Sequence, residues 1–333
     1  QHMIGKRQWM RRALGSAVLL TLPVFALGRT APVLDRTVKI VVGFTPGGSA
    51  DLVARALARQ LSGYSATVIV ENKPGAGGRI AADYVKDARP DGTTLLVTPS
   101  STMTLYPHIY KNLGYDPIKA FAPAAMVASF PYVLVVGPLV PPSVKTVSAF
   151  LAWAKAHPRQ ASFASPGNGT GPGFAGIALS RAAHVGLTDV AYKGGAPAMN
   201  DVVAGQIAAN MAVISNAIPF ILAGKVRALA VTGPARSKAL AQVPTMAEAG
   251  FPDVTFTESF GVYLPAKTPI DVVNKLNKLV EHAIASKQFQ EMLASVSFDA
   301  ALPMKPPEYK RRIEAETASW GKLVKATGFT PAN

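Results

Sequence analysis

From Val38 onward the chain alternates two hydrophobic rhythms. Short runs of β-branched and apolar residues predict strands over 38–44, 66–70 and 93–97, and Ala-rich stretches of helical period predict helices over 51–61 and 80–88. The alternation returns later, with helices expected over 151–156, 174–183 and 196–204 and strands over 162–164 and 226–231. Strand–helix alternation packs as a parallel sheet covered by helices, and its occurrence in two regions predicts two α/β lobes. Extended runs over 131–138 and 254–264 join those regions and predict two hinge crossings. Apolar residues then recur at helical spacing, from Val272 to Ile284 and from Tyr309 to Val324, which predicts two core-facing helices.

Composition narrows the function classes. Cysteine is absent, so neither disulfides nor thiol chemistry nor thiolate metal sites contribute, and stability must come from the core, for which a chain nearly half apolar by composition supplies the residues. The opening residues carry a separate signal. Reading from Met3, with Gln1 and His2 set aside as added residues, Lys6, Arg7, Arg11 and Arg12 precede an apolar run over 13–27 and small residues at Ala26, Gly28 and Ala31. That order matches a secretory signal peptide, expected over 1–31, and the run falls short of the roughly 20 residues that span a bilayer. The protein is therefore expected in the periplasm, with the Sec or Tat route open. The formal charge is +15; without the four basic residues of the n-region, 30 basic side chains still exceed 19 acidic ones. These basic residues form no dense run or aromatic-interleaved motif, so nucleic acid is not expected as a partner, and anionic small ligands fit the balance better.

Three loops hold the polar residues that suit such a ligand. The first follows the 38–44 strand and contains Phe44, Thr45, Gly47, Gly48, Ser49 and Asp51. A Gly-rich turn into a helix leaves free N–H groups at the positive end of that helix, which favours an anion; the same turn serves equally as a tight connection capped by Ser49 or Asp51. The second loop holds Ser100, Ser101 and Thr102, and the third Ser165, Asn168, Gly169 and Thr170. In a parallel sheet such loops gather at the carboxyl edge of the strands, where open α/β proteins bind ligands. Catalytic signatures are missing: no G-x-S-x-G elbow and no phosphate-binding Gly-Lys loop occurs, residues 75–78 lack dinucleotide spacing, and His108, His157, His184 and His282 stand alone. No catalytic residue, metal or cofactor is expected, and the chain reads as a binding protein rather than an enzyme.

The strings VVGFTPGGSAD, VIVENKPGAGG, DGTTLLVT, SPGNGTG, AYKGGAPAMNDVVAGQI, AGKVRALAVTG and VPTMAEAGFPD, in this order, resemble the Bug family, also called TctC-type, of tripartite tricarboxylate transporter substrate-binding proteins. The resemblance covers roughly 38–329. It implies a type II periplasmic-binding fold with two lobes closing like a flytrap on a di- or tricarboxylate or aromatic acid, no cofactor, and delivery by a monomer to the membrane subunits of the transporter. On this basis lobe I takes 36–133 and 258–329, and lobe II takes 134–257. The resemblance also brings Tyr192, Ala212, Ser215 and Asn216 into the expected site, with Ser49, Thr102, Asn168 and Thr170 as the foremost donors. Asp51 reads rather as an organiser of its loop, and the 71–75 segment as shaping the neighbouring loop. Many relatives carry an acidic residue where this chain has Ala212, which turns the expectation away from amino-acid ligands. Gly173, where relatives often have His, and Pro99, together with Phe44, Phe130, Phe174 and Tyr192, lead us to expect a roomier, more apolar pocket. Two other roles stay open from the sequence: docking of the loaded protein on a sensor-kinase ectodomain, and an exported hydrolase on the same scaffold.

Overall fold

A computed structural model describes residues 34–326 and Phe329. The expected signal peptide lies outside the described residues. In chain order the elements are β1 (Val38–Val42), α1 (Ser49–Gln60), β2 (Val68–Asn72), α2 (Arg79–Lys86), β3 (Thr94–Pro99), α3 (Ser101–Thr104), α4 (Tyr106–Ile109), α5 (Pro117–Ala120), β4 (Phe121–Val136), α6 (Val147–Ala156), β5 (Ser162–Ser165), α7 (Gly171–Ala182), β6 (Thr188–Ala191), α8 (Gly195–Val203), β7 (Ala209–Val213), α9 (Ile214–Leu222), β8 (Arg227–Val231), β9 (Thr257–Pro265), α10 (Ile270–Ala285), α11 (Lys287–Ser295), β10 (Asp299–Ala300) and α12 (Pro306–Ala326).

Side-chain alternation explains why the apolar strands read as unbroken runs. On β1, Val38, Ile40 and Val42 join one core cluster with Val53 and Leu57 of α1 and Leu276 and Val280 of α10. Val41, between them, joins a second cluster with Ala81 and Val85 of α2 and Ile313 of α12. Successive side chains point to opposite faces and helices cover both, so four of the five β1 residues are apolar; Lys39, on the Val41 face, is partly exposed and pairs with Glu71.

The sheet runs β2-β1-β3-β9-β4-β7-β5-β6, with β10 and β8 also paired to β4. β1 lies parallel between β2 and β3, and β5 lies parallel between β6 and β7. Antiparallel β9 and β4 connect these two parallel groups. β4 changes partners along its length: residues 121–131 pair with β9, while 132–136 pair with β7 on one side and β8 on the other. This is an α/β fold of the two-lobe binding-protein type.

The expected crossing over 131–138 is the second part of a 16-residue strand, β4. Its first part contains Pro123 and Pro131, which lack the N–H a ladder uses and so argue against a strand in sequence. The structure accommodates Pro123 at an irregularity, where the register with β9 shifts between Pro123 and Ala125. β7 also gave no strand signal, because Ala209, Asn210 and Ala212 carry little β-branched character; it is a strand because all five of its residues are buried between β4 and β5. α7 starts earlier than its apolar period suggests, since the Thr170 side chain accepts the Gly173 N–H and Pro172 occupies the first turn.

Candidate ligand-binding site

After β1 the backbone turns through residues 43–48 into α1. A Cβ on Gly43 would lie 2.5 Å from the Gly78 Cα, so only glycine lets the 75–78 turn pack directly on this loop. Gly47 adopts φ +82°, in the left-handed region. Asp51 fastens the turn from below: its Oδ2 accepts from the Gly47 N–H at 3.0 Å and from Arg55 Nε at 2.9 Å, and its Oδ1 accepts from Asn72 Nδ2 at 3.0 Å. Asn72 Nδ2 also donates to the Phe44 carbonyl at 3.0 Å. Burial pulls the Asp51 carboxyl upward, but the bonds from Arg55, Gly47 and Asn72 outweigh it and hold the group below the usual carboxylate range.

The first residues of four helices converge on one cavity. Gly48, Ser49 and Ala50 come from the start of α1, Thr170 and Pro172 from α7, Gly195 from α8, and Val213 and Asn216 from α9. Phe44, Pro99, Ser101, Pro166, Glu258 and Phe260 complete the lining. Ser49 Oγ reaches across to donate to Asn216 Oδ1 at 2.9 Å and lies 2.8 Å from Ser215 Oγ. The Thr45 N–H donates to the Lys193 carbonyl at 3.2 Å, and Tyr110 OH donates to the Asn168 carbonyl at 2.5 Å. A Cβ on Gly195 would run into the Asn216 amide. These contacts draw the facing loops together, and the half-open cleft between them has a volume of only ≈ 30 Å³, room for a water or two. The expected roomier pocket is therefore not what this arrangement shows. Its apolar character is present, supplied by Phe44, Phe260, Val213 and three prolines.

The lining contains no Lys, Arg or His. Its positive potential comes instead from the helix starts, each equivalent to roughly half a unit charge and each carrying N–H groups without intrahelical partners. Helix starts can hold an anion without a buried cation, and the one ionisable side chain in this lining is Glu258. A larger depression of ≈ 680 Å³ beside Lys39, Asp83 and Arg89 is lined by no helix start and mixes both charge signs.

Of the residues expected at the site, Phe44, Gly48, Ser49, Ser101, Thr170 and Asn216 line this cavity, and Ser215 adjoins it through Ser49. Thr45 stands at the edge, its Oγ1 buried without a hydrogen-bond partner. Others are occupied elsewhere. Thr102 is fully buried with its Oγ1 2.9 Å from Thr98 Oγ1, and Ser100 Oγ accepts from the Ser259 N–H at 3.3 Å. Ser165 Oγ donates to the Gly167 carbonyl at 3.2 Å, while the Asn168 side chain is exposed and Gly169, at φ +72°, shapes the turn. Tyr192 OH donates to Asp201 Oδ2, and Ala212 faces Val133 within the sheet. Two of the aromatics are core: Phe130 stacks within 5 Å of Phe260 and Phe298, and Phe174 packs on Phe256 and Trp320.

Sequence reasoning missed Glu258. It is the lone charge in the apolar run over 254–264, and that isolation was the available signal. Its Oε1 accepts from the Ser101 N–H at 2.9 Å and its Oε2 from Tyr132 OH at 2.6 Å. Burial raises its carboxyl above the usual range, hydrogen bonds from the Ser101 side chain, Tyr132 and the Ser101 N–H oppose the rise, and the nearby Glu316 adds to it. Asp189, on β6 behind the 165–170 loop, is likewise pushed up to about 6 by burial, against a hydrogen bond from Ser165. Among the described residues no group of His, Asp and Glu is close enough to hold a metal ion, and no helix is long and apolar enough to cross a membrane.

A two-lobe α/β fold whose helix starts face a shared cavity defines a solute-binding protein of the periplasmic type. Comparison with known proteins gives the family. Residues 50–329 match the tripartite tricarboxylate transporter family receptor. The chain is 34% identical to the UPF0065 protein encoded in the tcbD–tcbE intergenic region of Pseudomonas sp. strain P51, over 96% of this chain and 94% of that one. Among solved structures, the periplasmic binding protein BugD superposes with a TM-score of 0.85 at 32% identity, covering 90% of this chain and all of that one. MatC of Rhodopseudomonas palustris, with bound malate, gives 0.82 at 30% identity over 86% and 98% of the two chains, and an adipate-bound protein of the same organism gives 0.83 at 31% over 89% and 98%. The chain belongs to the tripartite tricarboxylate transporter receptor family, whose members are substrate-binding receptors and not enzymes.

Proposed function

We propose that this protein captures a small carboxylate in the periplasm and delivers it to the membrane subunits of a tripartite tricarboxylate transporter. The observation that carries the reading is the convergence of the α1, α7, α8 and α9 starts on a cavity that has polar hydroxyl and amide groups but no cationic side chain. The carboxylate sits at the Ser49–Asn216 pole, where it replaces the direct contacts between the facing loops, and the hydrocarbon part runs along Phe44, Phe260 and the three prolines. That division suits a dicarboxylate or an aromatic acid. The lobes divide where β4 changes partners, near Tyr132, and at the return into β9, near Phe256. Opening at those two crossings admits the ligand, since the cleft as it stands is too small for one. The malate and adipate held by two relatives support the ligand class.

A thermal-shift and calorimetric screen over C4–C6 diacids, tricarboxylates, benzoates and acidic amino acids tests the reading, because a ligand that binds only the folded state raises the melting temperature. Carboxylates shift the wild type, and the shift shrinks in Ser49→Ala and Asn216→Ala. A response to neutral sugars with none to any carboxylate would overturn the ligand class.

A further inference from the structure

A site built to attract an anion here contains an acid of its own. Glu258 lines the same ≈ 30 Å³ cavity as Ser49, Thr170 and Asn216 and is itself only 4% exposed. It faces the start of α7: a Cβ on Gly171 would lie 3.0 Å from Glu258 Oε2. Its hydrogen bonds, from the Ser101 N–H and side chain and from Tyr132 OH, all come from uncharged donors. The titratable groups packed around it are Tyr132 on β4, Tyr106 on α4, Tyr263 on β9 and Glu316 on α12, and none of these supplies a positive charge. Arg312, the cation on the α12 side, holds Glu316 through Nε at 2.8 Å.

We infer that Glu258 binds a proton when a carboxylate ligand enters, so that capture of the anion and uptake of one proton are a single event. The inference rests on the carboxylate reading above. Two negative charges side by side in one narrow, mostly apolar cavity repel, and no side chain of the lining is there to compensate them. The anion that can give way is the one that can take a proton without leaving, and that is Glu258. Once neutral, its carboxyl keeps the acceptor that holds the Ser101 N–H, and its O–H becomes a donor toward Tyr132 or toward the ligand. Burial already displaces the group in this direction. A dicarboxylate is expected to benefit most, because it brings a second carboxylate into the cavity that Glu258 lines. The ligand's release is correspondingly favoured by alkaline conditions.

Calorimetry with adipate, malate and benzoate, each fully ionised above about pH 6.5, reads this directly. Titrations in buffers of different ionisation enthalpy give the number of protons exchanged, and a series from pH 6.5 to 9 gives the affinity. We expect uptake approaching one proton per ligand, with affinity falling up to about tenfold per pH unit on the alkaline side. Glu258→Gln, which copies the shape of the neutral acid, abolishes the uptake and binds more tightly than the wild type at pH 9. Binding by the wild type with no proton exchanged and a flat pH profile would overturn the inference while leaving the carboxylate reading intact. Failure of all three acids to bind either protein would overturn both.

Discussion

Two carboxyl groups flank the same cavity and are used in opposite ways. Asp51, under the β1–α1 turn, receives the Gly47 N–H, the Asn72 amide and the Arg55 guanidinium, and its charge is fully compensated. Glu258, at the return crossing into β9, receives the Ser101 N–H and side chain and one phenol, and has no cation among its bonded partners. The first is held below its usual range and the second above it. Neither side chain is open to solvent, but Glu258 lies deeper in the protein, so burial weighs more heavily on it. The other difference is that a positive charge comes with the burial of Asp51 and none with that of Glu258. The compensated acid builds the loop, and the uncompensated one is free to respond to a ligand.

The sharpest way to break the contrast is Asp51→Ala. It strands the Gly47 N–H, the Asn72 amide and Arg55 at once, and we expect a loss of about 3 kcal/mol at pH 7, read by urea unfolding, together with loss of ligand binding. Because the folded-state value of Asp51 lies below the unfolded one, that stabilisation is present at neutral pH and disappears as the pH falls through the folded value. Asp189 shows the opposite sign. Its value of about 6 lies above the ordinary aspartate value of 3.8, so the folded state is favoured in acid and loses stability as the pH rises from about 4 through 6. Asp189→Asn should therefore stabilise the protein by on the order of 2 kcal/mol at pH 7.5 and leave it unchanged near pH 4, as read from paired unfolding curves. Ser49→Ala removes the bonds across the cavity to Ser215 and Asn216. About 1 kcal/mol of stability goes with them, and carboxylate affinity drops roughly tenfold. Smallest of all is the effect of Glu258→Gln on stability. Its melting temperature at pH 8 should equal or exceed that of the wild type, whereas a clear loss there would show that the ionised form is the one the fold stabilises.

Much of this arrangement was legible along the chain. The strands β1, β3, β5 and β8 and the helices α1, α2, α7 and α8 fall within a few residues of their apolar patterns, because each buries a face whose period is set by backbone geometry. The Gly-Gly-Ser turn before α1 and the Thr170 turn before α7 also announced themselves, since helix starts require particular residues. Thr102 and Asn168 were expected in the site from the composition of their loops and from the family resemblance, yet one turns to Thr98 and the other to solvent. Loop composition says which residues can donate, not which way a short turn aims them.

Hydrophobic period and turn chemistry, properties of neighbours in sequence, thus determined the α/β lobes and the anion-friendly loops. Three features depended on residues far apart in the chain. β4 became one long strand despite Pro123 and Pro131 because β9, β7 and β8 supply its partners in succession. Asn216 met Ser49 across 167 positions, and Glu258 met Ser101 across 157. The charge state of a buried acid depends on what surrounds it in space, and for Glu258 those surroundings come from β4, α3, α7 and α12, which only the tertiary fold brings together.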